Sequence, residues 1–177
     1  AFTTCSVTYT PSAVGSGSHT ITASYGGDTN FLTSNGNQAV TVDKATPVIT
    51  WSNPADIVYG TALSGTQLNA STPVAGTFTY APPSGTVLNA GAGQVLSVNF
   101  APTDTANFNN VNNTTVTINV LKATPIITWA NPADIFYGTA LSGTQLNAST
   151  PVAGTFTYTP PSGTVLNAGA GQVLSVD

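Results

Sequence analysis

The sequence predicts an all-β chain built from tandem two-sheet sandwich modules, and three observations carry that reading. Residues 44–99 return almost unchanged at 122–177, displaced by 78 positions in every aligned residue. The two copies differ at five positions: Val48/Ile126, Ser52/Ala130, Val58/Phe136, Ala81/Thr159 and Asn99/Asp177. A fixed period of this kind marks a tandem array of small modules, a plan on which single enzymes are rarely built. Apolar and polar residues alternate at period two through runs rich in β-branched and aromatic side chains, with no competing helical stripe. Pro and Gly clusters interrupt these runs, so each 78-residue unit holds about seven short strands, as a two-sheet sandwich does.

Taken in order, residues 1–43 read as the back half of a related but diverged module. Its Tyr9-Thr10-Pro11 matches Tyr80-Ala81-Pro82, its strand 21–25 matches 96–100, and its Gly27-Asp28-Thr29-Asn30-Phe31 matches the stretch 103–108. Asn35-Gly36 is a turn signal ahead of a closing strand at 39–42. Residues 44–121 form the complete module, with strands expected at 77–80, 95–100 and 115–120. Turns are expected at 73–76, at Pro82-Pro83-Ser84-Gly85 and at Ala90-Gly91-Ala92-Gly93. The expected inward set is Val48, Ile57, Tyr59, Leu63, Leu68, Phe78, Tyr80, Leu88, Leu96, Val98, Phe100, Phe108, Val116, Ile118 and Val120. Residues 122–177 are then the front part of a near-identical module. A core this thin is marginal by itself, since a domain of 60 to 80 residues buries only roughly 60% of its unfolded surface. Almost no linker separates the modules, and Pro47 and Pro125 fix φ at the junctions, so the expectation is a semi-rigid rod.

Composition narrows the function. The chain has no Arg, Glu or Met, and its charges are Lys44, Lys122 and six Asp, a formal net charge of -4. Such a chain lacks a basic footprint for nucleic acid. Only 5% of its residues are charged, against about 25% in ordinary globular domains, so solubility falls to Thr, Ser, Asn and Gly. That surface suits a secreted or cell-surface (extracellular) protein. The single Cys5 rules out an internal disulfide framework and a Cys-based zinc site. No apolar run is long enough to span a membrane, and no signal peptide is visible. Residue 1 is Ala and the first segment begins inside a module, so the chain reads as an interior fragment of something longer.

Several motifs in order carry a family resemblance. They are Lys-Ala-Thr-Pro-x-Ile-Thr-Trp, Tyr-Gly-Thr-Ala-Leu-Ser, Gln-Leu-Asn-Ala, Gly-Thr-Phe-Thr-Tyr-x-Pro-Pro-Ser-Gly-Thr-Val-Leu and Phe-x-Pro-Thr-Asp-x-x-Asn-Phe. Together they resemble the group 3 bacterial immunoglobulin-like domain repeats, and the stretch at 24–31 is similar to a sister subgroup. The resemblance covers essentially the whole chain. It implies immunoglobulin-like β-sandwich modules strung in many copies along large secreted or surface proteins of bacteria, commonly adhesins or structural stalks. It supplies no catalytic residue.

Individual residues carry chemistry of their own. His19 falls in phase with Ile21, Ala23 and Tyr25, at the place of Gln94, and reads as a strand histidine; one His builds neither a metal cluster nor a Ser-His-Asp relay. Asp28 and Asp104 open short loops and read as turn caps, one carboxylate per loop being a thin calcium ligand set. Trp51 and Trp129 recur beside the entry Pro and are expected to pack against a neighbouring module, with sugar stacking as the alternative. The Thr77/Thr79 and Thr155/Thr157/Thr159 rows read as an outer sheet face, with ice binding as the alternative. Lys44 and Asn119 are the candidates for an isopeptide cross-link, and Asn69, Asn112, Asn113 and Asn147 satisfy the glycosylation sequon.

No catalytic, cofactor or metal site is expected, and the chain is not read as an enzyme. The expected role is that of an adhesin stalk or spacer whose partners are the neighbouring modules of the same chain. One alternative is a self-assembling extracellular fibre, in which other copies complete a partial module by strand addition. A carbohydrate-binding surface module is a further one.

Overall fold

The computed structural model describes residues 4, 6–10 and 19–177, and every regular element among them is a β-strand. In chain order these are β1 (His19–Tyr25), β2 (Ser34–Val40), β3 (Ile57–Val58), β4 (Gly76–Ala81), β5 (Gly91–Pro102), β6 (Val111–Leu121), β7 (Tyr158–Thr159) and β8 (Ser175–Val176). The chain divides into two compact units, Ala1–Lys122 and Ala123–Asp177.

Unit 1 contains an antiparallel hairpin, β1–β2, and a four-stranded sheet of order β3-β6-β5-β4. The hairpin pairs His19 with Val40 and Ile21 with Gln38; in the larger sheet Gln94 pairs with Ile118 and Leu96 with Val116. β1 and β2 thus share the register of β5 and β6. The hairpin turn differs from expectation. Asn35 and Gly36 lie inside β2, paired with Ser24 and Ala23, and the turn sits upstream. Asp28 makes it: the Asp28 Oδ1 atom accepts the N–H groups of Asn30 and Phe31 at 2.7 and 2.8 Å, and Gly27 takes the left-handed φ of 73°.

The larger sheet is antiparallel from β4 through β6, while β3 runs parallel to β6 through Ile57↔Val120 and Val58↔Leu121. Period two holds strictly in β6, where Val116, Ile118 and Val120 are buried and the intervening residues are exposed. Leu96, Val98 and Phe100 are likewise buried in β5, where Ser97 between them is half-buried and Asn99 exposed. The core joins this face to side chains from irregular segments: Ile57, Leu63, Leu68, Leu96, Val116, Ile118 and Val120, flanked by half-buried Trp51, Tyr80 and Leu88.

Those covering segments hold single bridges, Thr50↔Ser71 and Ala62↔Val87, where the sequence pattern suggests strands. Proline explains the shortening, since Pro47, Pro54, Pro73, Pro82 and Pro83 remove ladder donors throughout this layer. Of the expected turn at 90–93 only Ala90 is a bend; Gly91–Gly93 is the start of β5, and a register shift between Gly91 and Gln94 absorbs the extra residue as a bulge. Two members of the expected core are outside it. Val48 is 75% exposed because Pro47 and Ile49, its neighbours, take the inward phase. Tyr59 is half exposed because β3 stops at Val58 and the turn closed by Thr61 N–H on the Val58 carbonyl swings the chain outward.

Unit 2 repeats the covering layer in detail, with bridges Thr128↔Ser149 and Ala140↔Val165, and adds the short antiparallel pair β7–β8. Both units have a cis peptide at the equivalent place, Ala81–Pro82 and Thr159–Pro160.

Candidate functional site

The same geometry surrounds the tryptophans in both units. Ser64, Gly65, Thr66 and Gln67 form one tight turn in which the Gln67 and Leu68 N–H groups donate to the Ser64 carbonyl. The Gln67 side chain folds back, so that its Oε1 accepts both the Ser64 N–H and the Ser64 hydroxyl at 3.1 Å. This is the reciprocal arrangement of a helix capping box applied to a single turn. Closing the turn points the Gln67 carbonyl at Trp51, whose Nε1–H donates to it at 3.0 Å. The Trp51 indole meets Tyr80 edge-on, with centroids 5.5 Å apart. In unit 2 the same contacts join Ser142, Gln145, Trp129 and Tyr158, again with Trp129 Nε1–H to the Gln145 carbonyl at 3.0 Å and a 5.5 Å ring pair. Each Trp therefore packs inside its own unit, which corrects the expectation of a contact with a neighbouring module. The buried Gln67 and Gln145 were not singled out from the sequence; the Ser-x-x-Gln spacing, present in both copies, is the signal that marks them.

Asp28 and Asp104 hold equivalent loops. The Asp28 Oδ2 atom accepts the Tyr25 hydroxyl at 2.8 Å, and Asp104 accepts the Ala106 and Asn107 N–H groups and the Asn107 side-chain amide. Hydrogen bonds to the charged form hold both carboxyls below the usual range: first the Asn30 N–H for Asp28, first the Asn107 side chain for Asp104. The hydrogen bond to Asp28 raises the Tyr25 phenol, and desolvation raises Tyr80. Among the described residues, no three His, Cys, Asp or Glu side chains gather as a metal site would require.

The remaining candidates are spread over the fold. His19 is half-buried at the start of β1, with the Tyr9 hydroxyl 3.2 Å from its Nδ1. Lys44 Nζ–H donates to the Thr105 carbonyl at 2.7 Å, whereas Asn119 lies far along β6, roughly 26 Å beyond Val111 at the strand rise. The Asn119 amide is already engaged, its Nδ2–H donating to Asp56 at 3.0 Å and its Oδ1 accepting the Gly93 N–H at 2.9 Å. The two isopeptide candidates are not brought together. Thr77, Thr79, Thr155, Thr157 and Thr159 are exposed, as are Asn69, Asn112, Asn113 and Asn147. Cys5 and Pro11 lie outside the described residues.

Unit 2 holds one pronounced concavity, a cavity of about 680 Å³ whose apolar wall includes Trp129, Ile135, Leu141, Leu166 and Leu174. Its polar rim includes Asn131, Asp134 and Gly171. Comparison with protein-family models, with curated proteins and with solved structures finds no match.

Proposed function

We propose that this chain is a non-catalytic structural repeat of a large extracellular or cell-surface protein, acting as an adhesin stalk or spacer. The observation that carries the reading is the recurrence, 78 residues apart, of an entire set of internal contacts. The Trp–Gln bond, the folded-back Gln, the edge-on Tyr and the paired bridges all serve to hold a module's own shape. Repetition of scaffold contacts, with no repeated constellation of reactive side chains, is what a length-giving array requires.

In this reading residues 44–121 are a complete immunoglobulin-like β-sandwich module, flanked by the back part of one module at 1–43 and the front part of another at 122–177. The covering segments act as the second layer over the β3-β6-β5-β4 sheet. Entry to the complete module is pinned: Ala45 bridges Phe108, and Asn109 Nδ2–H donates to the Lys44 carbonyl and the Thr46 hydroxyl. A pinned entry followed by buried Pro47 supports a stiff joint and hence a semi-rigid rod. The long strand β5, with 12 residues, sets a module length of roughly 40 Å at about 3.3 Å per residue.

The test is reach. Chains carrying one, two, four and eight copies of residues 44–121 are measured by small-angle scattering and electron microscopy; each added copy should lengthen the particle by roughly 40 Å. A maximum dimension that does not grow with copy number refutes the rod.

A further inference from the structure

The four-stranded sheet of unit 1 has two edges of different character. One is β3, only two residues long, which offers an incoming strand almost nothing to pair with. The other is β4, six residues with no charge, no proline and no break in its register with β5. None of the usual devices that blunt an edge strand is built into it.

Hydrogen-bond parity fixes which β4 groups are free. The Thr103 N–H donates to the Ala75 carbonyl, and Pro102, opposite Gly76, has no N–H to give. Unit 2 shows the same phase directly: Thr157 and Asp177, the repeats of Thr79 and Asn99, exchange both backbone bonds at 2.9 Å. Ala75, Thr77, Thr79 and Ala81 therefore turn their backbone groups toward β5, and Gly76, Phe78 and Tyr80 turn theirs to the open side. Among the described residues nothing answers the N–H and C=O groups of those three. Their side-chain positions take the core face: Phe78 and Tyr80 are stacked and half-buried, and a Cβ at Gly76 would strike the Phe100 ring.

From this parity we infer that β4 is a self-association edge: a second copy of the chain pairs with it antiparallel, with the twofold axis at Phe78, and doubles the four-stranded sheet. The inference goes beyond the stalk reading, because it concerns what lies beside a module and not its length. In this register Phe78 meets the partner's Phe78, and Gly76 meets the partner's Tyr80, with no side chain of its own in the way of that ring. Every free N–H and C=O of one β4 is then satisfied by the other. A slip of one residue sets free groups against groups already committed to β5, and a slip of two leaves one residue of each strand beyond the other's set. On the outer face Thr77 stands directly opposite the partner's Thr79, in the closer spacing of a non-hydrogen-bonded pair, which favours contact between their side chains. Neither strand carries charge, so no like charges oppose the approach. The same Gly-Thr-Phe-Thr-Tyr sequence recurs at 154–158, so the edge is repeated with the module.

The test follows the mass of the full 177-residue chain by light scattering from about 1 μM to about 1 mM, with reductant present so that Cys5 cannot link chains. Mass should rise toward the dimer across that range. Amide exchange at Gly76, Phe78 and Tyr80 should slow with it, while exchange at Thr77 and Thr79, already paired with β5, stays as it was. Two variants change only exposed threonines. The first carries Thr77→Lys, Thr79→Lys, Thr155→Lys and Thr157→Lys, which sets like charges opposite each other in the paired edge, although the added lysines cancel the formal net charge of -4 and so relieve overall repulsion. The second carries Thr77→Glu, Thr79→Lys, Thr155→Glu and Thr157→Lys, which sets opposite charges at the same pairs and leaves the net charge as it is. The first should associate at least about tenfold more weakly than the second. Both carry charge at the same four positions, so a folding defect would move them alike. A wild-type chain that stays monomeric to about 1 mM overturns the proposal, as do equal masses for the two variants, or exchange at Phe78 and Tyr80 that ignores concentration. None of these outcomes alters the growth of particle length with copy number, so failure of the edge and failure of the stalk reading are told apart.

Discussion

Leu96 and Leu174 occupy the same place in two copies of nearly the same sequence, and truncating each to Ala should have unequal cost. Leu96 is fully buried, at 0% exposure, in the core beside Val116, its pairing partner on β6. Removing three carbons at about 0.8 kcal/mol each forfeits roughly 2.4 kcal/mol of transfer free energy. The closed site around it retains a cavity, which brings the total to about 3 kcal/mol or more, within the range of about 2.7–5.0 measured for such truncations. Leu174 is half-buried and borders the open concavity. At most half of the transfer term is lost there, roughly 1.2 kcal/mol, and no closed cavity is created. The assay is urea unfolding of the full chain in two single-tryptophan backgrounds, Trp129→Phe to watch unit 1 through Trp51 and Trp51→Phe to watch unit 2 through Trp129. With a slope near 1 kcal/mol/M for a unit this small, Leu96→Ala should lower the unit 1 midpoint by about 3 M, and Leu174→Ala should move the unit 2 midpoint by about 1 M. Equal shifts, or a Leu96→Ala cost below about 1 kcal/mol, would refute the argument that β6 makes the difference.

Three further outcomes follow from the same geometry. A Cβ at Gly76 collides with the Ala101 carbonyl oxygen and the Phe100 ring, whereas one at Gly154 meets nothing within 4 Å. Gly76→Ala should therefore cost about 1–3 kcal/mol and Gly154→Ala less than about 0.5 kcal/mol, read from the same urea curves. Gln67→Ala strips the Ser64 N–H and hydroxyl of their acceptor and should cost about 1–3 kcal/mol, seen as a fall in the melting temperature of unit 1 of at least about 4 °C. The lowered Asp28 and Asp104 carboxyls stabilise their turns above the ordinary carboxylate range near 3.9, and that stability is lost as pH falls through their folded-state values. Amide exchange at Ala106 and Asn107 should accelerate, relative to its intrinsic rate, on acidification; Asp104→Asn should remove that dependence, and protection unchanged to about pH 2 would contradict it.

Strand existence was legible wherever alternation ran unbroken. The expected runs 95–100 and 115–120 fall inside β5 and β6 because their buried face is one continuous apolar row, so only one phase keeps it from water. Turn chemistry was less legible. Asn35-Gly36 and Gly91–Gly93 have the composition of turns, yet each lies within a strand, because cross-strand pairing elsewhere had already fixed the register. In the hairpin the Asp28 carboxylate outcompeted the Asn-Gly dipeptide for the turn. The exposed Val48 shows the same limit: near a proline-interrupted edge, one residue of phase error moves a side chain from core to solvent. Of the candidate site, the sequence marked Trp51 and Trp129 as recurrent but not what they touch. The burial of Gln67 is not legible in the sequence, because a buried amide leaves no trace in hydropathy.

By itself the sequence determined the repeat, the strand periodicity and the scarcity of charge, because each is a property of residue order and composition. Tertiary structure decided what closes the core of residues 44–99. Residues 44–99 and 122–177 carry the same local instructions and build the same Trp–Gln turn. In unit 1 that segment is sealed by β6, a strand that arrives from beyond the repeat and pairs with both β3 and β5. Burial is a property of what lies across a surface, and no local pattern records that.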